Sequence, residues 1–196
     1  MHIDDAVTVN TPGDAPLAGD ARGDYGFTRS LWFNALWFQS IWFCTVLGRD
    51  SLLPLTLSLL ALHLLLARDT YRELLQLTSV AFVGIAVDAG LSAGGVFLFQ
   101  DGVPVPLWLC CLWLAFATTL PRSLAWLGRR PMLTALAGAI VLPLNYWAGQ
   151  RLGAVQFGYS LPVTLVTMGL IWAVALPALY RLTALLASAD DGVRGT

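Results

Sequence analysis

From Leu31 onward the chain is a series of apolar runs separated by short polar breaks. The clearest run is Leu107–Arg130, LWLCCLWLAFATTLPRSLAWLGRR, which carries no charge as far as Leu120. An α-helix rises about 1.5 Å per residue, so about 20 residues cross the hydrocarbon core of a bilayer. Leu107–Leu127 reaches that length with one charge, Arg122, near an end where its stem can snorkel to the headgroups. Trp108 and Trp126 fall at its two ends, as an aromatic belt would place them. Arg129 and Arg130 follow, then Pro131, which continues a helix poorly.

Five further runs repeat the pattern, at about Leu31–Leu47, Leu52–Ala67, Leu74–Phe97, Met132–Ala148 and Leu161–Tyr180. The fold class expected is therefore an all-α integral membrane protein, a bundle of six transmembrane helices over residues 29–187. The first run repeats LWFNA, LWFQS, IWFCT, and a period of five advances about 140° per step on a helix. Trp32, Trp37 and Trp42 should then point in three directions, and Asn34 and Gln39 should need separate partners. In the third run Gly90 and Gly94 make a small-xxx-small pair, where another helix is expected to approach closely. Pro143 in the fifth run frees the Ala139 carbonyl, and a kink is expected there. Residues 1–28 are rich in Asp, Gly and Pro and are expected to be a disordered polar tail, without the basic start and cleavage site of a signal peptide. Residues 188–196 form a second polar tail.

Composition agrees with a lipid-facing surface. The chain is 57% hydrophobic and only 12% charged, against about 25% charged in soluble domains, and its mean hydropathy is +0.70. Net charge is −1 and no basic patch exists, so nucleic acid is not a partner; the expected partner is the bilayer itself. All 11 basic residues are arginine, and their placement orients the bundle. Arg22, Arg29, Arg68, Arg72, Arg122, Arg129, Arg130, Arg181 and Arg194 fall on the side of the termini, against Arg49 and Arg151 opposite. By the positive-inside rule both termini face the cytoplasm, and the location is the bacterial cytoplasmic (inner) membrane. The 3 cysteines, Cys44, Cys110 and Cys111, lie in apolar runs and read as small buried hydrophobes, with a disulfide from Cys44 to one of the pair as the alternative.

Orientation sorts the candidate chemistry by depth. Asp88 lies in the outer half of the third span, where a carboxylate costs roughly 2.5–3.5 kcal/mol on insertion scales unless paired, solvated or protonated. Tyr146 and Arg151 are its expected partners, with Asn145 alongside. Together they would form either a structural tie between spans three and five or a substrate or proton site. The inner half holds Asn34, His63, Thr118, Thr119 and Arg122. His63 is expected to bond a neighbouring helix at the interface, and the two threonines to bond their own helix carbonyls. Gly90-Leu91-Ser92-Ala93-Gly94 matches GxSxG by letter, but it lies in an apolar helix rather than a strand–turn–helix elbow. Its base would have to be His63, at the opposite face. No phosphate loop, nucleotide fingerprint or Cys/His metal spacing is present, so no cofactor or metal is expected.

Three blocks carry a family resemblance: Asn34 with Trp42-Phe43-Cys44 and Gly48; Leu112-Trp113 and Phe116-Ala117-Thr118-Thr119-Leu120 with Ser123-Leu124-Ala125-Trp126-Leu127; and Pro143-Leu144-Asn145-Tyr146-Trp147-Ala148-Gly149 with Leu152-Gly153-Ala154-Val155. Over about Leu31–Leu186 the chain resembles bacterial domain-of-unknown-function family 2878, small inner-membrane proteins. It departs from the family pattern at Pro121-Arg122, where the resemblance leads one to expect Asn-His. The resemblance implies a fold and a compartment and no established activity. Family members occur beside genes for cyclopropane-fatty-acid-synthase-like methyltransferases, which implies lipid-modifying enzymes as partners. Three functions follow in order of preference: a membrane subunit or scaffold for fatty-acid or phospholipid modification; a small carrier or binding protein for a lipid or other apolar ligand, with its polar site around Asp88; and a membrane-embedded lipid enzyme. The last is ranked lowest because no catalytic set is recognisable.

Overall fold

The third helix shows how the sequence builds the bundle. Leu77, Val80, Ala81, Gly84, Asp88 and Leu91 are buried, and their spacing of three and four residues makes one stripe along the helix. That stripe packs on the fourth helix, while Phe82 on the opposite face is 73% exposed. The outward face is thus as apolar as the inward one, the signature of a helix whose surroundings are themselves apolar. Val174 and Leu170 on the last helix, 73% and 69% exposed, show the same.

The computed structural model describes residues 31–67, 69–100 and 102–194, with side chains as far as Ser188. The expected tail at 1–28 lies outside the described residues. The helices are α1 (Leu31–Gly48), α2 (Leu53–Leu65), α3 (Thr70–Ala93), α4 (Leu107–Thr119), the short α5 (Ala125–Gly128), α6 (Pro131–Arg151) and α7 (Leu161–Arg194). A 3₁₀ turn, Arg49–Leu52, joins α1 to α2. The two helices fold back on each other there, since Ile41 and Leu60 share one apolar cluster with Cys111 and Ala115 of α4. Further pairings fix the other directions. Asn34 and Phe38 of α1 meet Thr118 and Phe116 of α4, so these two run antiparallel. Glu73 meets Arg122 and Asp88 meets Trp113, so α3 and α4 do too. Gly138 lies against the Trp172 backbone and Gly169 against the Ala139 carbonyl, so α6 and α7 follow suit.

Two ends of the bundle result. One, the Arg122 end, gathers the start of α1, the end of α2, the start of α3 and the end of α4; Tyr180 of α7 joins it by donating to the Leu124 carbonyl at 2.9 Å. The other, the Arg49 end, holds the α1–α2 turn and the α3–α4 and α6–α7 connections. There β1 (Phe97–Leu98) pairs antiparallel with β2 (Gln156–Phe157), in register Phe97 with Phe157. Four helical stretches are long and apolar enough to cross a membrane: Leu31–Leu65, which contains the α1–α2 hairpin, Thr70–Ala93, Pro131–Arg151 and Leu161–Ser188; α4 is apolar but shorter.

The sequence-based boundaries need four corrections. The Leu107–Leu127 run is not one helix: α4 stops at Thr119, a turn follows, and α5 restarts at Ala125. Pro121 has no N–H to donate back, and the Leu124 N–H bonds the Thr119 carbonyl at 2.8 Å instead. The third run ends at Ala93, because the Gly94-Gly95 pair (Gly95 at φ +72°) turns the chain and Phe97 enters β1. No helix packs at Gly90, where a Cβ would meet open space. The close approach is instead at Gly138 and Gly169, on the most extensive interface of the bundle, α6 with α7. Finally, α7 runs helical through Pro177 to Arg194, so the polar 188–194 stretch continues the helix. Pro143 is buried within an unbroken α6.

Candidate functional site

Asp88 is the only carboxylate in the apolar interior of α3, and it is fully buried. One turn before it, Gly84 leaves a notch that the Trp113 ring of α4 fills; a Cβ at Gly84 would overlap that ring. The ring's Nε1–H then reaches on to donate to Asp88 Oδ2 at 2.7 Å. From α6, the Tyr146 hydroxyl lies 2.7 and 2.6 Å from Asp88 Oδ1 and Oδ2. Trp113 is stacked on Trp172 (centroids 5.1 Å apart) and Tyr146 on Phe97 (4.8 Å), so both donors are held by neighbouring rings. The hydrogen-bonding groups that Asp88 meets are therefore two neutral donors, and the contact ties α3, α4 and α6 together.

Of the residues expected to join Asp88, the structure brings Tyr146 to it and leaves Arg151 out. Arg151 is exposed at the last residue of α6. Asn145, also exposed, donates to the Val141 carbonyl of its own helix at 2.8 Å. An ion pair of Asp88 with Arg151 is thus replaced by the Trp113–Asp88–Tyr146 arrangement. Trp113 was not anticipated, because an indole counts as apolar in a hydropathy pattern. The available signal was Gly84 and Asp88 at i and i+4, a notch followed by an acceptor on one helix face.

At the Arg122 end the predicted polar residues come together. Asn34 donates through Nδ2 to Thr118 Oγ1 at 3.3 Å and accepts from the Ser123 hydroxyl at 2.7 Å. Thr118 and Thr119 donate to the Ala115 and Phe116 carbonyls of their own helix. Arg122 Nη1 donates to the Thr118 carbonyl at 3.2 Å, and its Nη2 meets Glu73 Oε2 at 2.7 Å. The other Glu73 oxygen lies 2.9 Å from His63 Nε2. Glu73, the one glutamate of the chain, thus links α2, α3 and the turn that follows α4. In sequence it falls just before the third apolar run, beside Arg72; in the structure it occupies the first turn of α3 behind the N-cap Asp69. His63 and Ser92 stay apart: Ser92 is 19 positions after Glu73 on α3, about 28 Å along the axis. No nucleophile–base pair forms from them. Cys44, Cys110 and Cys111 are free thiols. Among the described residues no three His, Cys, Asp or Glu side chains are placed to hold a metal.

A concave site among the described residues is a groove between α1 and α6, floored by α4, with a cavity volume of about 400 Å³. That lies in the roughly 300–1,000 Å³ range of small-molecule sites. Its lining runs from Leu31, Thr119 and Leu124 at the Arg122 end to Val46, Phe99, Ala154 and Val155 at the Arg49 end. Between them Ala35, Phe38, Leu112, Phe116 and Leu142 make an apolar trough. Gln39 and Asn145 face it from opposite walls, and Trp113 and Tyr146 form part of its lining. Asp88, fully buried, is not in that lining; it sits behind those two rings.

Four helical stretches of spanning length, apolar also on the faces turned away from the bundle, and a groove of apolar lining mark a membrane-type helical protein. A family model described as protein of unknown function (DUF2878) matches residues 31–178, and the chain belongs to that family. No curated protein and no solved structure shows significant similarity to it.

Proposed function

We propose that this chain is a multi-pass protein of the bacterial cytoplasmic membrane that binds a lipid acyl chain in the groove between α1 and α6. In this reading α1, α2, α3, α4, α6 and α7 all cross the bilayer, α4 with the turn and α5 that follow it, and both termini are cytoplasmic. The nine-to-two arginine distribution supports that orientation. The observation that carries the binding reading is the groove itself. Its mouth opens sideways between two helices whose surroundings are apolar, so the molecules that reach it are lipids. Its trough offers aromatic and aliphatic side chains with no charged group among them. A carrier or binding role, serving lipid-modifying enzymes, therefore fits the geometry better than an enzyme.

Photoreactive acyl chains incorporated with the purified protein in lipid nanodiscs test this. Crosslinks should concentrate on Phe38, Leu112 and Leu142, and Ala35→Trp, which fills the trough, should remove them. Crosslinks spread evenly over Phe82, Leu170 and Val174, on the outer faces of α3 and α7, would overturn the reading. A co-purifying membrane helix crosslinked within the groove would instead make the chain a subunit of a lipid-modifying assembly.

A further inference from the structure

Arg49 is the one residue outside glycine with a left-handed backbone among the described residues, at φ +47°. Asparagine or glycine would adopt that conformation more easily. Its side chain does not line the groove, but it reaches chain segments that do at the Arg49 end. Nη1 donates to the Gln100 side-chain oxygen at 3.3 Å and Nη2 to the Leu152 carbonyl at 3.4 Å, both long and both to neutral acceptors. Nε is buried without a partner. Gln100 adjoins Phe99, and Leu152 lies two residues from Ala154; Phe99 and Ala154 line the groove, as does Val46 one turn before Arg49. A guanidinium with a forked set of donors, held by weak bonds, thus stands beside the segments that close the trough at the Arg49 end.

We infer that Arg49 is the headgroup site of the groove: the occupant is a lipid of net negative headgroup, whose phosphodiester or carboxylate oxyanion has no cation of its own to pair with, held by the guanidinium while its acyl chain lies in the trough. A planar guanidinium matches such an oxyanion in bidentate fashion, and charge-assisted bonds there are shorter than the two it now makes. This assignment rests on the acyl-chain reading above. Arg49 also explains why an arginine, rather than glycine, occupies the strained turn: the side chain, not the backbone, is what the position needs.

Native mass spectrometry of the detergent-solubilised full chain tests it, with equimolar phosphatidylglycerol and phosphatidylcholine of the same acyl length. The wild type should retain the anionic lipid about tenfold over the zwitterionic one, as a charge-assisted bond predicts. Arg49→Asn, which suits the left-handed backbone and so spares the turn, should abolish the preference while still retaining lipid. Arg49→Lys should keep part of it. Excess inorganic phosphate should leave the bound lipid in place; displacement would make a free anion, not a lipid headgroup, the ligand. Equal retention of both lipids by the wild type overturns the headgroup site and leaves the acyl-chain reading standing. Retention of neither lipid overturns both.

Discussion

At the residue scale, two buried polar contacts do different work from the groove beside them. Removing the Asp88 carboxyl while keeping its neighbours strands the Trp113 N–H and the Tyr146 O–H in an apolar interior. Each stranded donor costs about 1–3 kcal/mol. Asp88→Ala should therefore lower thermal stability in detergent strongly. Asp88→Asn retains an oxygen acceptor and an amide that can donate to the phenol, and should lose much less. Because Asp88 lies behind the groove wall, Asp88→Asn should also leave acyl-chain crosslinking unchanged, and a loss of crosslinking without unfolding would return the site to Asp88. Glu73 is the second contact. Its side chain is 12% exposed, with Arg122 at 2.7 Å and His63 at 2.9 Å. Glu73→Gln leaves a partly buried guanidinium without its counter-charge, and a cost of about 1–3 kcal/mol should appear in the same unfolding assay. An unchanged melting temperature would show that this cluster does not hold α2, α3 and α4 together. Asp88 was legible because a lone carboxylate in an apolar run stands out by itself. Of its partners Tyr146 was legible and Trp113 was not, since arginine is the obvious mate for a carboxylate and a tryptophan N–H is invisible to charge counting. Glu73 was missed for the opposite reason: it stands beside Arg72, and in sequence that pair reads as solvated loop.

At the element scale, the run pattern located every long helix, and the errors cluster at helix ends and at the choice of packing glycine. Apolar length sets where a helix lies, but its end depends on single residues such as Pro121 and Gly95 that interrupt the hydrogen-bond ladder. The period-five tryptophans of α1 do point three ways. Trp32 is 76% exposed, Trp37 packs against the α2–α4 cluster, and Trp42 lines the groove. Which small-residue pair receives a neighbour was not legible, because Gly90–Gly94 satisfies the spacing rule as well as any other, yet Gly90 faces outward. The contrast is testable. Gly138→Ala places a methyl against the Trp172 backbone, which has no flexible end to yield, and should destabilise by about 1–3 kcal/mol. Gly90→Ala meets nothing and should be neutral or gain up to about 1 kcal/mol of helix propensity. Equal losses for the two would show that the α6–α7 crossing is looser than the packing implies.

At the scale of the whole molecule, the alternation of helices decides which residues meet lipid at which surface. Every pairing that fixes direction joins residues from one end of the bundle to others from that same end: Asn34 with Ser123, Glu73 with Arg122, Tyr180 with Leu124, and opposite them Arg49 with Gln100 and Leu152. If the bundle lies in a bilayer with its axis along the normal, those two sets emerge on opposite sides. In the proposed orientation the Arg122 end faces the cytoplasm, since moving the basic cluster across during insertion is disfavoured. The three free thiols can be replaced by alanine, leaving a background for single cysteines at Ser51, in the α1–α2 turn, and Arg129, before α6. A membrane-impermeant maleimide should label the Ser51→Cys protein in spheroplasts. It should reach the Arg129→Cys protein only in inverted vesicles. Labelling of both from the same side would mean that α1 and α2 dip into one leaflet as a hairpin rather than crossing, and would move the Arg49 end, with the headgroup it is assigned, out of the outer leaflet. The helices most at stake are the two of 13 residues, α2 and α4, whose length of about 20 Å falls short of a 30 Å core. In the proposed topology the turn and α5, from Leu120 to Gly128, would make up the shortfall for α4. The α2 hairpin has no such extension, so the Ser51→Cys result bears on it most directly.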